Sequence, residues 1–176
     1  MNSKVDIARK IAERVHLKPN NKYPKGQKDK KGFPYMSHIN DIAYRVAYLG
    51  ERYEIVGLLH DSIEDAHDDK SRNEIERLIK SSFEQDIVDA IYAMTKTSGE
   101  DYFEDYLPRL KKNEIALKVK IADSSHNLSK AHLIENNDLQ EKLRQKYIMV
   151  LNLLGVDGSQ QEKPIIFTKG KWVEKE

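Results

Sequence analysis

The segment His60-Asp61-Ser62-Ile63-Glu64-Asp65 sets an imidazole and three carboxylates directly after the apolar run Ile55-Val56-Gly57-Leu58-Leu59. On a helix His60 and Glu64 are four apart, as are Asp61 and Asp65, so the spacing predicts all four on one face. Ionisable groups beside a buried run are costly unless they pair or bind a cation. A His-Asp dipeptide alone is ordinarily an exposed helix end, but two other segments carry matching groups. His38 follows Pro34-Tyr35-Met36-Ser37 in the first turn of a predicted helix, and Asp123 lies in Ile121-Ala122-Asp123-Ser124-Ser125-His126-Asn127. His38, His60, Asp61 and Asp123 together offer two imidazoles and two carboxylates from three helices. Nitrogen and oxygen ligands without thiolate suit Mn²⁺, Fe²⁺ or Zn²⁺ better than Ca²⁺ or Mg²⁺. Four protein ligands on an octahedral ion leave two positions, room for water and a phosphate oxygen.

The elements that must position these groups read as helices. Val5, Ile7, Ala8, Ile11, Ala12 and Val15 fall on one face, with Ser3 and Asp6 placed as a capping pair. Residues 18–34 hold three prolines and two glycines and are expected to form a loop. Helical spacing resumes from Ile39 to Leu49 and stops at Gly50. Shorter helices are expected around Ile75–Ile79 and Ile87–Met94, then over 100–112, disturbed by Pro108, over 113–129, and from Leu139 to Leu154. Residues 164–173 read as two short extended pieces about Lys169-Gly170, or as a flexible tail. The fold class is all-α: a single helical bundle with at most a short C-terminal hairpin.

Composition narrows the function classes. The chain of 176 residues has 30 Lys+Arg against 29 Asp+Glu, a formal charge of +1, which does not suit a nucleic-acid binder. Six lysines, including Lys28 and Lys30, crowd residues 18–31, while seven acids crowd residues 60–76. A basic loop beside an acidic cluster fits an anionic substrate at a cation site; the alternative is a solvated loop and helix end. No cysteine is present, so thiolate ligands and cysteine nucleophiles are excluded. No run approaches the roughly 20 apolar residues of a membrane span. MNSKVDIARK lacks the apolar core of a secretory signal, and a cytoplasmic location is expected. Sequence motifs for P-loop, dinucleotide or hydrolase-elbow sites do not occur.

The pattern resembles the HD-domain phosphohydrolases, in particular the (p)ppGpp hydrolase domain of the RelA/SpoT proteins and the small alarmone hydrolases. The resemblance spans about residues 4–154. It rests on Gly32-Phe33-Pro34-Tyr35 with His38, on Leu58-Leu59-His60-Asp61-Ser62-Ile63-Glu64-Asp65, on Met94-Thr95-Lys96, and on Lys120-Ile121-Ala122-Asp123 with His126-Asn127-Leu128. It implies an HD-type domain over 1–154, followed by a C-terminal extension over 155–176. It implies that His38, His60, Asp61 and Asp123 hold Mn²⁺, and that Glu64 and Asp65 are catalytic carboxylates acting on the attacking water. Asn127 is then expected near the ribose and Tyr147 near the bound nucleotide. The reaction that the resemblance implies is hydrolysis of the 3′-diphosphate, giving GDP or GTP and pyrophosphate. No synthetase, TGS or ACT region fits this length, so hydrolysis alone is expected.

The lysine loop, with Lys28 and Lys30, is expected to meet the diphosphate, ribose or guanine end of that substrate as point charges. Here the chain departs from the family. Where its relatives carry an arginine that stacks on the purine, this sequence has Asp29 or Lys28, and Ser124 stands where a basic residue is common. Two other readings follow: the same chemistry on another nucleotide, such as a plain nucleotide or NADPH, or a catalytically silent domain that binds a nucleotide or protein. Among the remaining groups, His126 is expected to pack beside the site and His16 and His132 to lie at the surface. Tyr102 and Tyr106 are expected as packing residues or as a pocket wall.

Overall fold

The computed structural model describes residues 3–17, 26–29 and 32–175. α1 (Lys4–His16) opens with the capping box that Ser3 and Asp6 predict, each side chain accepting from the other's backbone amide at 3.1 Å. α2 (Tyr35–Val46) passes through a 3₁₀ turn, Ala47–Leu49, to Gly50, whose φ of +122° permits the reversal into α3 (Glu51–Leu59). α2 and α3 approach closely at Gly57, where a Cβ would lie 2.8 Å from the Ala43 Cα. That approach brings the start of α2, with His38, against the end of α3, with His60.

α3 stops at Leu59, six residues short of the helix expected through Asp65. The cause is local. The Gly57 carbonyl, which a continuing helix would offer to the Asp61 amide, accepts from His60 Nδ1 at 2.8 Å. The Ser62 amide then bonds to the Leu59 carbonyl at 3.0 Å, and residues 60–65 leave as turns.

α4 (Asp69–Ser82) is capped by Asp68, and α5 (Gln85–Met94) follows. The single helix expected over 100–112 is instead a π-helical turn, Tyr102–Tyr106, leading into the short α6 (Leu107–Leu110). Pro108 has no amide to give to an i−4 carbonyl, so the regular ladder cannot run through it. α7 (Glu114–Ser129), capped by Asn113, packs on α2, α3 and α5, and α8 (Asn137–Leu153) packs on α7. Ile39, Ile42, Ile55, Leu58, Leu59 and Ile91 lie fully enclosed in the core that these helices share.

The C-terminal segment is a hairpin of β1 (Ile165–Thr168) and β2 (Lys171–Glu174). Lys169 and Gly170 both have positive φ, the geometry of a two-residue hairpin turn. A hairpin alone is marginal in water, but this one buries Ile165 and Trp172 against the bundle. Among the described residues no helix is long and apolar enough to cross a membrane.

Candidate active site

His38, His60 and Asp61 meet where α2 and α3 converge, with ligand-type atoms all within 4.8 Å of one another. Both imidazoles are buried and Asp61 is half-buried. His60 Nδ1 is committed to the Gly57 carbonyl, which turns Nε2 inward. That nitrogen is buried without a hydrogen bond, 3.1 Å from Asp61 Oδ2 but not aligned to it. An imidazole anchored through one nitrogen, with the other buried and unbonded, is how a metal-ligating histidine is built. The donor set therefore fits a divalent ion.

Asp123, the fourth expected ligand, reaches the group through His38, whose Nε2 is 3.3 Å from Asp123 Oδ1. α7 fixes this carboxylate from both sides along one helical face. Asn127 Nδ2 donates to Oδ1 at 2.7 Å, and Lys120 Nζ lies 2.9 Å from Oδ2. Burial opposes the charge on Asp123, but Lys120 and His38 outweigh it and hold its pKa well below the usual range. Burial also opposes the charge on Lys120, and Asp123 more than offsets it. Burial lowers the pKa of His38, against the opposing pull of Asp123. For His60 burial acts the same way, but Asp61, Asp123 and the Gly57 carbonyl raise its pKa to about 9. Tyr35, quoted in the sequence only as part of a motif, donates its hydroxyl to Asp61.

Because α3 ends at Leu59, the groups expected on one face separate. Glu64 turns toward the end of α5, where its carboxylate accepts from the Lys96 amide. Much of Glu64 is open to solvent, yet its carboxyl end is enclosed enough for burial to raise its pKa, against the pull of the Lys96 amide. Asp65 accepts from Gln27 Nε2 at 2.7 Å. Gln27 Oε1 in turn accepts from His16 Nδ1 at 2.6 Å. His16 is thus fully buried at the end of α1, not a surface residue, because residues 26–29 fold back over it. His132 is likewise half-buried, with Nδ1 donating to the Ser129 carbonyl at 3.0 Å.

A cavity of about 330 Å³ opens beside His38 and Asp65, within the roughly 300–1,000 Å³ of small-molecule sites. Its polar wall includes Lys28, Asp29, Asn127 and Lys130; Ala131, Ile134, Leu143 and Tyr147 form its apolar wall. Lys28, Asn127 and Tyr147 therefore line one space, while Lys30 lies outside the described residues. Asp29, which with Lys28 is one of the two residues set against the stacking arginine of the resembled family, pairs with Lys130 at 3.1 Å.

No family model matches the sequence, and no curated protein matches it. Among solved structures, a metazoan ortholog of SpoT, which hydrolyzes ppGpp and plays a role in starvation responses, aligns with a TM-score of 0.69. The alignment covers 92% of this chain and 91% of that one, at 17% identity. The two share a fold. The fold is an all-α helical bundle, which in this chain carries a short C-terminal hairpin.

Sequence reasoning left several residues of this bundle without a role. Lys120 had a readable signal, three positions before Asp123 on one face. Gln27, Lys130, Asp41 and Trp172 had none, since their partners lie far away in the chain. Tyr106 packs in the core, its hydroxyl donating to the Met94 carbonyl at 2.6 Å. The half-buried Tyr102 lies 5.8 Å from Lys120 Nζ and 4.7 Å from Lys146 Nζ.

Proposed function

We propose that the chain is a cytoplasmic, divalent-metal-dependent phosphohydrolase that takes (p)ppGpp and water to GDP or GTP and pyrophosphate. One observation carries this reading: two buried imidazoles and a carboxylate converge beside a nucleotide-sized cavity, in a fold shared with a ppGpp hydrolase.

In this reading His38, His60 and Asp61 hold Mn²⁺, or Fe²⁺ or Zn²⁺, with Asp123 as fourth ligand. When bound, the ion supplies a Lewis acid for the phosphate and lowers the pKa of the attacking water. Glu64 takes the proton from that water, and its raised pKa brings it nearer the range useful to a base at neutral pH. Asp65, held by Gln27 and His16, orients the same water. Asn127 keeps Asp123 in place and faces the ribose, Tyr147 contacts the nucleoside, and Lys28, Lys30 and Lys130 meet phosphate charge.

The Asp29–Lys130 pair favours a second reading, in which the same chemistry acts on another nucleotide, because no guanidinium stands at the described wall to grip guanine. The test is pyrophosphate release from ppGpp by metal-stripped protein, with and without added Mn²⁺. Mn²⁺-dependent release is expected. Silence on ppGpp with turnover of another nucleotide would select the second reading.

A further inference from the structure

We infer that the C-terminal hairpin belongs to the site, and that Trp172 is a positioning residue acting on His38 through His126 and on Lys130 directly. This rests on the reading of His38 as a metal ligand. The two imidazoles of the cluster are held in different ways. His60 is pinned through Nδ1 to a backbone carbonyl at 2.8 Å. His38 Nδ1 is buried with no hydrogen bond, so packing holds the face of that ring away from Asp123. The nearest ring is His126, 4.7 Å away and nearly perpendicular, against 5.3 Å for Tyr35 and 5.4 Å for His60.

His126 is itself fixed from two sides. Its Nδ1 lies 2.7 Å from Asp41 Oδ2, and Trp172 stands edge-on at 5.3 Å and 88°. His126 Nε2 is buried and unbonded, so on that side the ring depends on what packs against it. The indole has its own anchor: Trp172 Nε1 donates to Ser37 Oγ at 3.1 Å, one residue before His38. The same indole lies 5.6 Å from Lys130 Nζ, the ammonium on the cavity wall. One side chain of the hairpin thus backs a ring that holds the cluster and a cation that lines the cavity.

Trp172 is the one tryptophan of the chain, so its emission reports on this position without a label. The experiment titrates Mn²⁺ into chelator-stripped protein, reading the dissociation constant by calorimetry and emission in parallel. In the wild type the emission is expected to change saturably, with the calorimetric constant. Trp172→Ala and Trp172→Leu are each expected to weaken Mn²⁺ about tenfold, the scale seen for residues that orient metal ligands. Trp172→Phe, which keeps a ring against His126, is expected to restore affinity to within about threefold of wild type. At saturating Mn²⁺ with ppGpp varied, the Leu variant should keep kcat and raise KM, since the ligands and carboxylates are intact. Should the Ala variant fail to fold, the comparison of Leu with Phe decides. Leu binding Mn²⁺ as tightly as Phe and wild type overturns the inference, as does unchanged wild-type emission at saturating Mn²⁺. Wild-type protein that binds no Mn²⁺ by calorimetry overturns the metal-site reading instead.

Discussion

His60 and Lys130 occupy equivalent places, each the residue that closes a helix, α3 in one case and α7 in the other, and each is buried. Their partners differ. His60 is oriented by Gly57 and faces Asp61, both within three residues. Lys130 pairs with Asp29, 101 residues away, and stands over the Trp172 ring from the opposite end of the chain. At the end of α3 the closing residue is held by near neighbours in the chain. The end of α7 is a junction between the loop before α2, the bundle and the hairpin. Damage at the first is expected to remove the chemistry, and damage at the second to loosen the substrate.

The sharpest break is His60→Ala or Asp61→Ala. Losing one of so few ligands is expected to abolish metal retention and turnover together. Metal analysis after gel filtration checks it, and wild-type metal content in both variants would sink the assignment. Glu64→Gln separates chemistry from metal binding at the same end. It is expected to keep the ion and lose kcat by ~10²–10⁴-fold, because an amide of the same shape cannot take a proton. Near-normal kcat would make Glu64 structural.

The pH dependence of metal binding sharpens the comparison further. In the metal-free protein His60 stays protonated up to about pH 9, and that proton must leave before Nε2 can ligate. Mn²⁺ affinity is therefore expected to rise by about tenfold per pH unit below that value and then to level off. Calorimetry in buffers of different ionisation enthalpy would count the released proton.

At the other helix end, Lys130→Ala is expected to raise KM for ppGpp about tenfold while kcat stays within about twofold. An equal fall in kcat would place Lys130 at the reacting phosphate. The smallest effects belong to Lys28, Lys30 and the base. Lys28→Ala and Lys30→Ala should raise KM by about two- to threefold, an effect lost at high salt. Replacing guanine by adenine in the substrate should cost ~1 kcal/mol. Kinetics on ppGpp and ppApp decide this, and a thousandfold preference for guanine would mean that unassigned groups read the base.

The helices were legible because their apolar spacing repeats within each segment, and the capping box of α1 needs only Ser3 and Asp6. The helix expected through Asp65 was not realised, because a side chain, His60 Nδ1, took a backbone carbonyl. Propensity arguments do not weigh such competition. The residue types of the candidate site could also be read from the sequence: the structure brings His38, His60 and Asp61 within 4.8 Å of one another, and Asp123 meets them at His38. His16 was misplaced because nothing in α1 announces that Gln27 will fold back to cover it.

The sequence by itself determined which side chains could hold an ion and which helices carry them, since both are properties of short stretches of chain. Only the tertiary structure decided how those side chains are held. Asp65 is steadied by Gln27 and His16, Lys130 by Asp29, and His126 by Asp41 and Trp172. These pairings span from 11 to 101 residues among the hydrogen bonds and ion pairs. They form only when packing of the bundle brings distant segments together, which no local pattern records.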